Sequence, residues 1–329
     1  MWQVVREEGL VPALVYLAYV TGSRLAVALP ERPAYATAHL LGAVAGRVPS
    51  RKRRVVARNL QRVTGAPAGS AELRRVVIAA YRSYARYWLE TFRLVHAPRS
   101  FFLERFTCHN VDRLDSVRAA HGGAALVVIA HLGNWDAAGA WCGASGRPAA
   151  TVAEVLEPRR LFEFFSDRRR ALGMTIHPAE RGVTERLVNE LRAGKMVALL
   201  GDRDLRGRGP EVDFFGAPAH FPLGPASLAV RTGLPIVVAG VYSIRMADGR
   251  HGWEAHVGEP IEVPERRSAE ALRGVTQKVA WEIERFVARR PEEWHVFQPL
   301  WSADRRSGTP PDGSAPGASD GRALEGTAP

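Results

Sequence analysis

Cysteine is nearly missing from this 329-residue chain. Two thiols, Cys108 and Cys142, are too few for a disulfide-stapled scaffold or a Cys-built zinc site. Lysine is scarce too. Lys52, Lys195 and Lys278 are the only three among 45 basic residues, so the positive charge is carried by arginine. His-x3-His and His-Glu-x-x-His are absent, which leaves a catalytic metal unsupported. No serine or cysteine lies in the strand–turn–helix context of a nucleophile elbow, so a covalent acyl-enzyme is not indicated. No internal repeat is visible. Hydrophobic residues at 46% and charged residues at 24% exclude a fully disordered, collagen-like or coiled-coil chain.

The charge is unevenly placed. Residues 1–110 carry 17 basic and 6 acidic side chains, an excess of 11, whereas residues 111–329 carry 28 of each. The whole net +11 therefore sits in the first third. An asymmetry of that size points to a nucleic acid or an anionic membrane as partner. No helix-turn-helix, zinc-finger or aromatic RNA-binding motif accompanies it, which disfavours nucleic acid.

The apolar run from Leu10 to Val20 contains Pro12 and follows Arg6, Glu7 and Glu8. It lacks the positive n-region and small-residue cleavage site of an export signal. Arg24 interrupts its extension to Leu29, short of the roughly 20 apolar residues of a spanning helix. Two readings stay open for it: a helix lying in a membrane interface with its tyrosines at headgroup depth, or a core helix of a soluble protein. A second helix is expected over 33–47. Ser50 then caps a helix opening with Arg51, Lys52, Arg53 and Arg54. Positive charge there opposes the helix dipole, a cost that binding to anionic headgroups would explain; a solvated basic face explains it as well. Residues 71–96 form an amphipathic helix interleaving aromatics with arginines.

After residue 110 the pattern becomes α/β. Gly123 to Ala130 reads as a strand buried on both faces, 196–200 and 235–242 as further buried strands, and 253–263 as a strand near a sheet edge. Helices are expected over 158–172, 184–193 and 268–290. The rhythm predicts a mixed, mostly parallel central sheet flanked by helices, with a basic helical segment before it. The expected organisation is one domain over 1–302, divided at about residue 110, followed by a disordered tail over 303–329 rich in Gly, Pro, Ser and Ala.

The chemistry-bearing segment is Ala130-His131-Leu132-Gly133-Asn134-Trp135-Asp136, directly after the buried strand. Strand carboxyl ends are where α/β proteins place their sites. A histidine followed five residues later by an aspartate can form a base–orienter pair if a helix start turns Asp136 back toward the imidazole. The next strong strand leads into Gly201-Asp202-Arg203-Asp204-Leu205-Arg206, then Phe214-Phe215-Gly216 and Phe221-Pro222-Leu223-Gly224. Asn134 and Trp135 are candidates to line an acceptor pocket. Arg169, Arg203, Arg206 and Arg208 are candidates to grip phosphates. Cys142 reads as a small buried apolar residue. Of the other histidines, only His220 has a comparable setting.

These segments together resemble the lysophospholipid acyltransferase superfamily, and within it the bacterial lipid A late acyltransferases. Arg-Pro-Glu-Glu-Trp-His-Val-Phe at 290–297 is similar to the C-terminal signature of that branch. The wording of Gly-Asp-Arg-Asp-Leu and Glu-Val-Asp-Phe-Phe-Gly most resembles the actinobacterial phosphatidylinositol mannoside acyltransferases. The resemblance covers about residues 5–301. It implies transfer from acyl-CoA, palmitoyl-CoA as the expected co-substrate and no other cofactor, to a mannose 6-hydroxyl of a phosphatidylinositol mannoside. It makes His131 the general base, Asp136 its orienter and Asp202 a second acidic residue, with Asp204 the alternative. Glu154, Arg169 and Gly224 fall where the family has functional or signature residues. With no export signal, no clean spanning helix and an Arg-rich, apolar first third, a peripheral location on the cytoplasmic face of the plasma membrane is expected. The alternatives are a relative acting on another glycolipid and an acyl-CoA thioesterase.

Overall fold

The computed structural model describes residues 9–204, 209–266 and 268–306. Helices α1 (Leu10–Ala28), α2 (Glu31–Ala45), α3 (Arg51–Thr64), α4 (Ala71–Leu94) and α5 (Arg99–Arg105) come first. Their punctuation is local. Ser50 Oγ accepts from Arg53 N at 3.1 Å and Ser70 Oγ from Leu73 N at 3.0 Å, each satisfying one orphan N–H of a first turn. Gly65 ends α3 in the left-handed conformation.

The α/β part runs β1 (Phe106–His109), α6 (Val111–Ala120), β2 (Ala125–Ile129), α7 (Trp135–Ala144), β3 (Ala149–Ala153), α8 (Arg159–Ala171), β4 (Thr175–Pro178), α9 (Val183–Arg192) and β5 (Met196–Leu200). A hairpin follows, β6 (Glu211–Phe214) with β7 (Ala217–His220), then α10 (Gly224–Thr232), β8 (Ile236–Arg245), β9 (His251–Ile261), α11 (Ala269–Arg289) and α12 (Ser302–Arg306). Seven strands make one sheet in the order β1-β9-β8-β2-β5-β3-β4. All neighbours are parallel except β8 and β9, so β9 and β1 run against the other five. This is the expected mixed, mostly parallel sheet.

β2 lies mid-sheet, which is why Ala125-Leu-Val-Val-Ile is apolar on both faces. Strand β9 sits one place in from the edge, because β1, which the periodicity did not reveal, covers it. The short, Ala-rich β3 and the four-residue β4 were likewise not expected; neither carries a period long enough to read. At the C-terminus, helix α12 continues past the expected boundary at 302, with Arg305 donating to the Asp204 carbonyl at 2.9 Å. The rest of the expected tail lies outside the described residues.

Helix α1 is no core helix. Leu10, Val11, Leu14 and Leu25 are each more than half exposed, and so are Leu40, Leu41 and Val44 on α2. The helix is long and apolar enough to cross a membrane by length and composition, although Arg24 argued otherwise. Its opposite side is docked on the protein. Ser23 and Ala26 are buried, and Tyr19 packs against Trp88 and Phe165 with ring centroids 5.5 Å away in each case.

Candidate active site

β2 and β5 are parallel neighbours with Ile129 opposite Leu200. Two residues beyond each, the same register sets His131 beside Asp202. The geometry is tight: His131 Nδ1 stands 2.6 Å from Asp202 Oδ1, and the His131 backbone N–H donates to Oδ2 at 2.9 Å. Trp294 Nε1 donates to the same Oδ2 at 2.8 Å. With three donors around it, Asp202 is held below the usual carboxylate range: burial opposes ionisation, but attraction to His131 and these hydrogen bonds outweigh it. His131 is 7% exposed. Burial pushes its pKa below 6.5, partly countered by Asp202, with Arg203 and Arg169 pushing the same way as burial. The ring is thus neutral at pH 7, with Nδ1–H directed to the carboxylate and Nε2 left as the basic atom. Arg203 Nη1 approaches Nε2 to 3.4 Å while its Nη2 donates to Gln298 at 2.9 Å.

A second strand of backbone fixes the loop. Residues 293–295 pair with 131–133: Gly133 N donates to the Glu293 carbonyl at 3.0 Å and His295 N to the His131 carbonyl at 2.7 Å. Gly133 has φ 61°, and a Cβ there would lie 2.3 Å from the Val241 carbonyl oxygen, so no larger residue fits. This pairing explains what the 290–297 motif does in space.

His131 opens onto an apolar cavity of about 280 Å³ running beneath the sheet. Tyr84, Tyr87, Trp88 and Trp135 line it together with the polar groups of His131, Glu154, Arg169, Arg203 and His295. Its apolar lining includes Ile129, Trp141, Cys142, Met174, Met196 and Val257. Burial raises the Cys108 thiol to about 11 and the Cys142 thiol to about 12, so neither is a nucleophile at neutral pH.

A base held by a carboxylate at the mouth of an apolar cavity suits acyl transfer. Residues 8–303 match the bacterial lipid A biosynthesis acyltransferase family. The chain belongs to that family. Curated phosphatidylinositol mannoside acyltransferases are among its relatives. One from Mycobacterium tuberculosis is 37% identical over 253 residues, covering 75% of this chain and 76% of the relative. One from Mycolicibacterium smegmatis is 34% identical over 291 residues, covering 88% and 91%. A solved 1-acyl-sn-glycerophosphate acyltransferase from Thermotoga maritima matches at 14% identity and TM-score 0.33, over 71% of this chain and 97% of that one. The protein is an acyltransferase.

Several expected residues take other positions in this acyltransferase. Asp136 does not turn back to the imidazole. Its carboxylate accepts from Arg169 Nε at 2.7 Å, Tyr87 Oη at 3.1 Å and Thr91 Oγ1 at 3.2 Å. The physical reason is the intervening Gly133 turn, after which α7 starts and carries Asp136 toward α4 and α8. Asp202 takes the orienting position instead. Arg169 is consumed by that ion pair rather than free to grip phosphate, although it reaches the cavity wall. Asn134 is a cap: Oδ1 accepts from Ala137 N at 3.0 Å, and Nδ2 donates to Glu90 at 2.7 Å. Trp135 does line the cavity, edge-on to His131 with ring centroids 5.2 Å apart. Asp204 braces its own loop, accepting from Gly209 N at 2.7 Å. Gly224 opens α10, exposed and away from the cavity lining, and His220 is tied to the Gly209 carbonyl at 3.0 Å. Arg206 and Arg208 lie outside the described residues.

Other groups were missed. Glu90, fully buried, accepts from Tyr35 Oη, Asn134 Nδ2 and Trp253 Nε1, and burial raises its pKa despite Arg86 nearby. The signal was its place on the buried stripe Ala80-Ser83-Tyr87-Glu90-Leu94 of α4, where an acid needs partners. His295, which has no distinguishing setting in the sequence, faces the same cavity with Nε2 2.9 Å from Ser83 Oγ.

Proposed function

We propose that this acyltransferase moves a fatty acyl chain from acyl-CoA to the 6-hydroxyl of a mannose on a phosphatidylinositol mannoside. The observation that carries the reading is the His131–Asp202 dyad, a neutral imidazole held by a carboxylate, at the mouth of an apolar cavity. The acyl chain occupies the cavity, and His131 Nε2 removes the proton of the sugar hydroxyl as Arg203 gives way. The alkoxide attacks the thioester carbonyl directly, and the imidazolium returns its proton to the leaving CoA thiolate. Asp202 fixes the tautomer and stabilises the imidazolium. The Arg203 guanidinium is the nearest positive charge for the tetrahedral oxyanion. General-base catalysis of this kind contributes about 10²–10⁴-fold. The names of the mycobacterial relatives support the acceptor class.

The exposed leucines of α1 and α2 and the exposed Arg51, Lys52 and Arg54 make an apolar surface with a basic flank. Arg53 is partly spent on the Gly46 carbonyl, at 2.8 Å. We place this surface against an anionic membrane, peripheral on the cytoplasmic face where acyl-CoA is available. The test is mass spectrometry of products from palmitoyl-CoA and mannosylated phosphatidylinositols with the wild type and His131→Ala. Acylated mannoside from wild type alone is expected. Transfer retained by the variant, or thioester hydrolysis indifferent to acceptor, refutes the assignment.

A further inference from the structure

His109, Glu254 and His256 lie at the edge of the sheet, on the face turned away from the cavity. In the parallel pair of β1 and β9, His109 is opposite His256, so their side chains are neighbours on one face. Glu254 precedes His256 by two residues and shares that face. One ligand atom from each lies within 4.8 Å of the other two. The imidazole rings face each other with centroids 4.4 Å apart.

The separations are the informative feature. His109 Nε2 is 3.4 Å from Glu254 Oε2, and His256 Nε2 is 3.7 Å from Glu254 Oε1. Both exceed the roughly 2.7–3.2 Å of a good N–H···O bond. Ligands bound about 2.0–2.2 Å from one tetrahedral ion stand about 3.3–3.6 Å apart; the first separation falls in that range and the second, made to the other carboxylate oxygen, lies just beyond it. Arg290 Nη2, 3.3 Å from Glu254 Oε1, would steady the carboxylate from outside as second-layer partners of metal ligands do.

We propose that these three residues form a zinc site that clasps the edge strand β1 to β9. Two imidazoles and one carboxylate suit a borderline divalent ion, whereas Mg²⁺ and Ca²⁺ favour oxygen ligands throughout. The half-exposed His109 leaves a position for water. The site lies apart from the His131 dyad and is structural. Cys108, Ala255 and Val257 alternate to the opposite face of the same two strands and line the acyl cavity, so the clasp braces that wall from behind.

The test uses the full chain without a polyhistidine tag, stripped with EDTA and titrated with ZnCl₂ against a chromogenic chelator. One equivalent bound per chain is expected, with Tm rising by several degrees in Zn²⁺ and not in Mg²⁺. His109→Ala, at an exposed position, and His256→Asn should each lose the equivalent and the Tm rise while keeping the far-UV spectrum and acyl transfer of the wild type. Absence of stoichiometric zinc overturns the proposal. So does zinc binding unchanged in both variants, or an equal Tm rise with Mg²⁺.

Discussion

Replacing Asp202 by Asn separates orientation from folding. The carboxylate receives three donors: backbone N–H of His131 and Nε1 of Trp294 on Oδ2, and Nδ1 of His131 on Oδ1. An amide whose oxygen takes the Oδ2 position still satisfies the first two. Its NH₂ then sits where Oδ1 was and donates to Nδ1, which forces the ring proton onto Nε2. That tautomer cannot accept a proton from the acceptor hydroxyl. A loss of about 10⁴-fold in kcat is expected from an inverted tautomer, about 5.4 kcal/mol in activation free energy. The hydrogen bonds remain matched, so the urea midpoint should stay near that of the wild type. The pH profile adds a second readout. Folded His131 has its pKa lowered below 6.5, so the base is fully competent above that value, and activity falls as pH drops through the folded pKa. Asp202 is the influence that raises that pKa, so residual activity in the variant should hold to lower pH than in the wild type. Initial rates of palmitoyl transfer from pH 5 to 8 measure both. Activity within tenfold of wild type, or an unmoved acid limb, would refute the dyad.

Asp136→Asn removes the charge that Arg169 is buried against and should cost about 3 kcal/mol of stability, read by urea unfolding, while impairing turnover far less than Asp202→Asn. Equal stability would show the pair to be dispensable. Ala198→Phe fills part of the apolar cavity and should shift the kcat/KM ratio toward octanoyl over palmitoyl donors by about tenfold; an unchanged ratio places the chain elsewhere. Neutralising Arg51, Lys52 and Arg54 to Gln, at about 1 kcal/mol per charge, should weaken co-sedimentation with anionic vesicles about 100-fold while detergent-phase turnover stays constant. Undiminished co-sedimentation would remove the basic flank from the docking surface.

The parts of the fold legible in the sequence are those with strong periodicity or continuous burial. β2 and β5 are apolar runs bounded by Gly123 and Gly201, and α4 and α11 are long enough for their stripes to show. β1, β3 and β4 are short, and their residues make sense only once neighbours are known. The site divides the same way. His131 and Asp202 each stand two residues past a readable strand, and parallel register brings them together. Glu293, Trp294 and His295 enter by pairing with the loop after β2 from the far end of the chain, which no local pattern encodes.

The misplacement of Asp136 follows from how spacing translates into direction. Four residues separate it from His131, a spacing that suggests contact if the segment is one helical turn. The chain instead leaves β2 extended, reverses through Gly133 in the left-handed region, and begins α7 only at Trp135. The two side chains therefore point to different partners. What Asp136 does at the second position of α7 is anchor the helix: its charge favours the N-terminal dipole, and its oxygens gather Tyr87 and Thr91 of α4 and Arg169 of α8. Tyr87 and Arg169 also line the cavity, and Trp135, next to Asp136, meets the His131 ring edge-on. The His-x4-Asp spacing thus joins two tasks rather than one dyad. The histidine is the base of the proposed reaction, and the aspartate locks the helix that presents the cavity mouth to it, so the spacing is set by where α7 must begin relative to the end of β2.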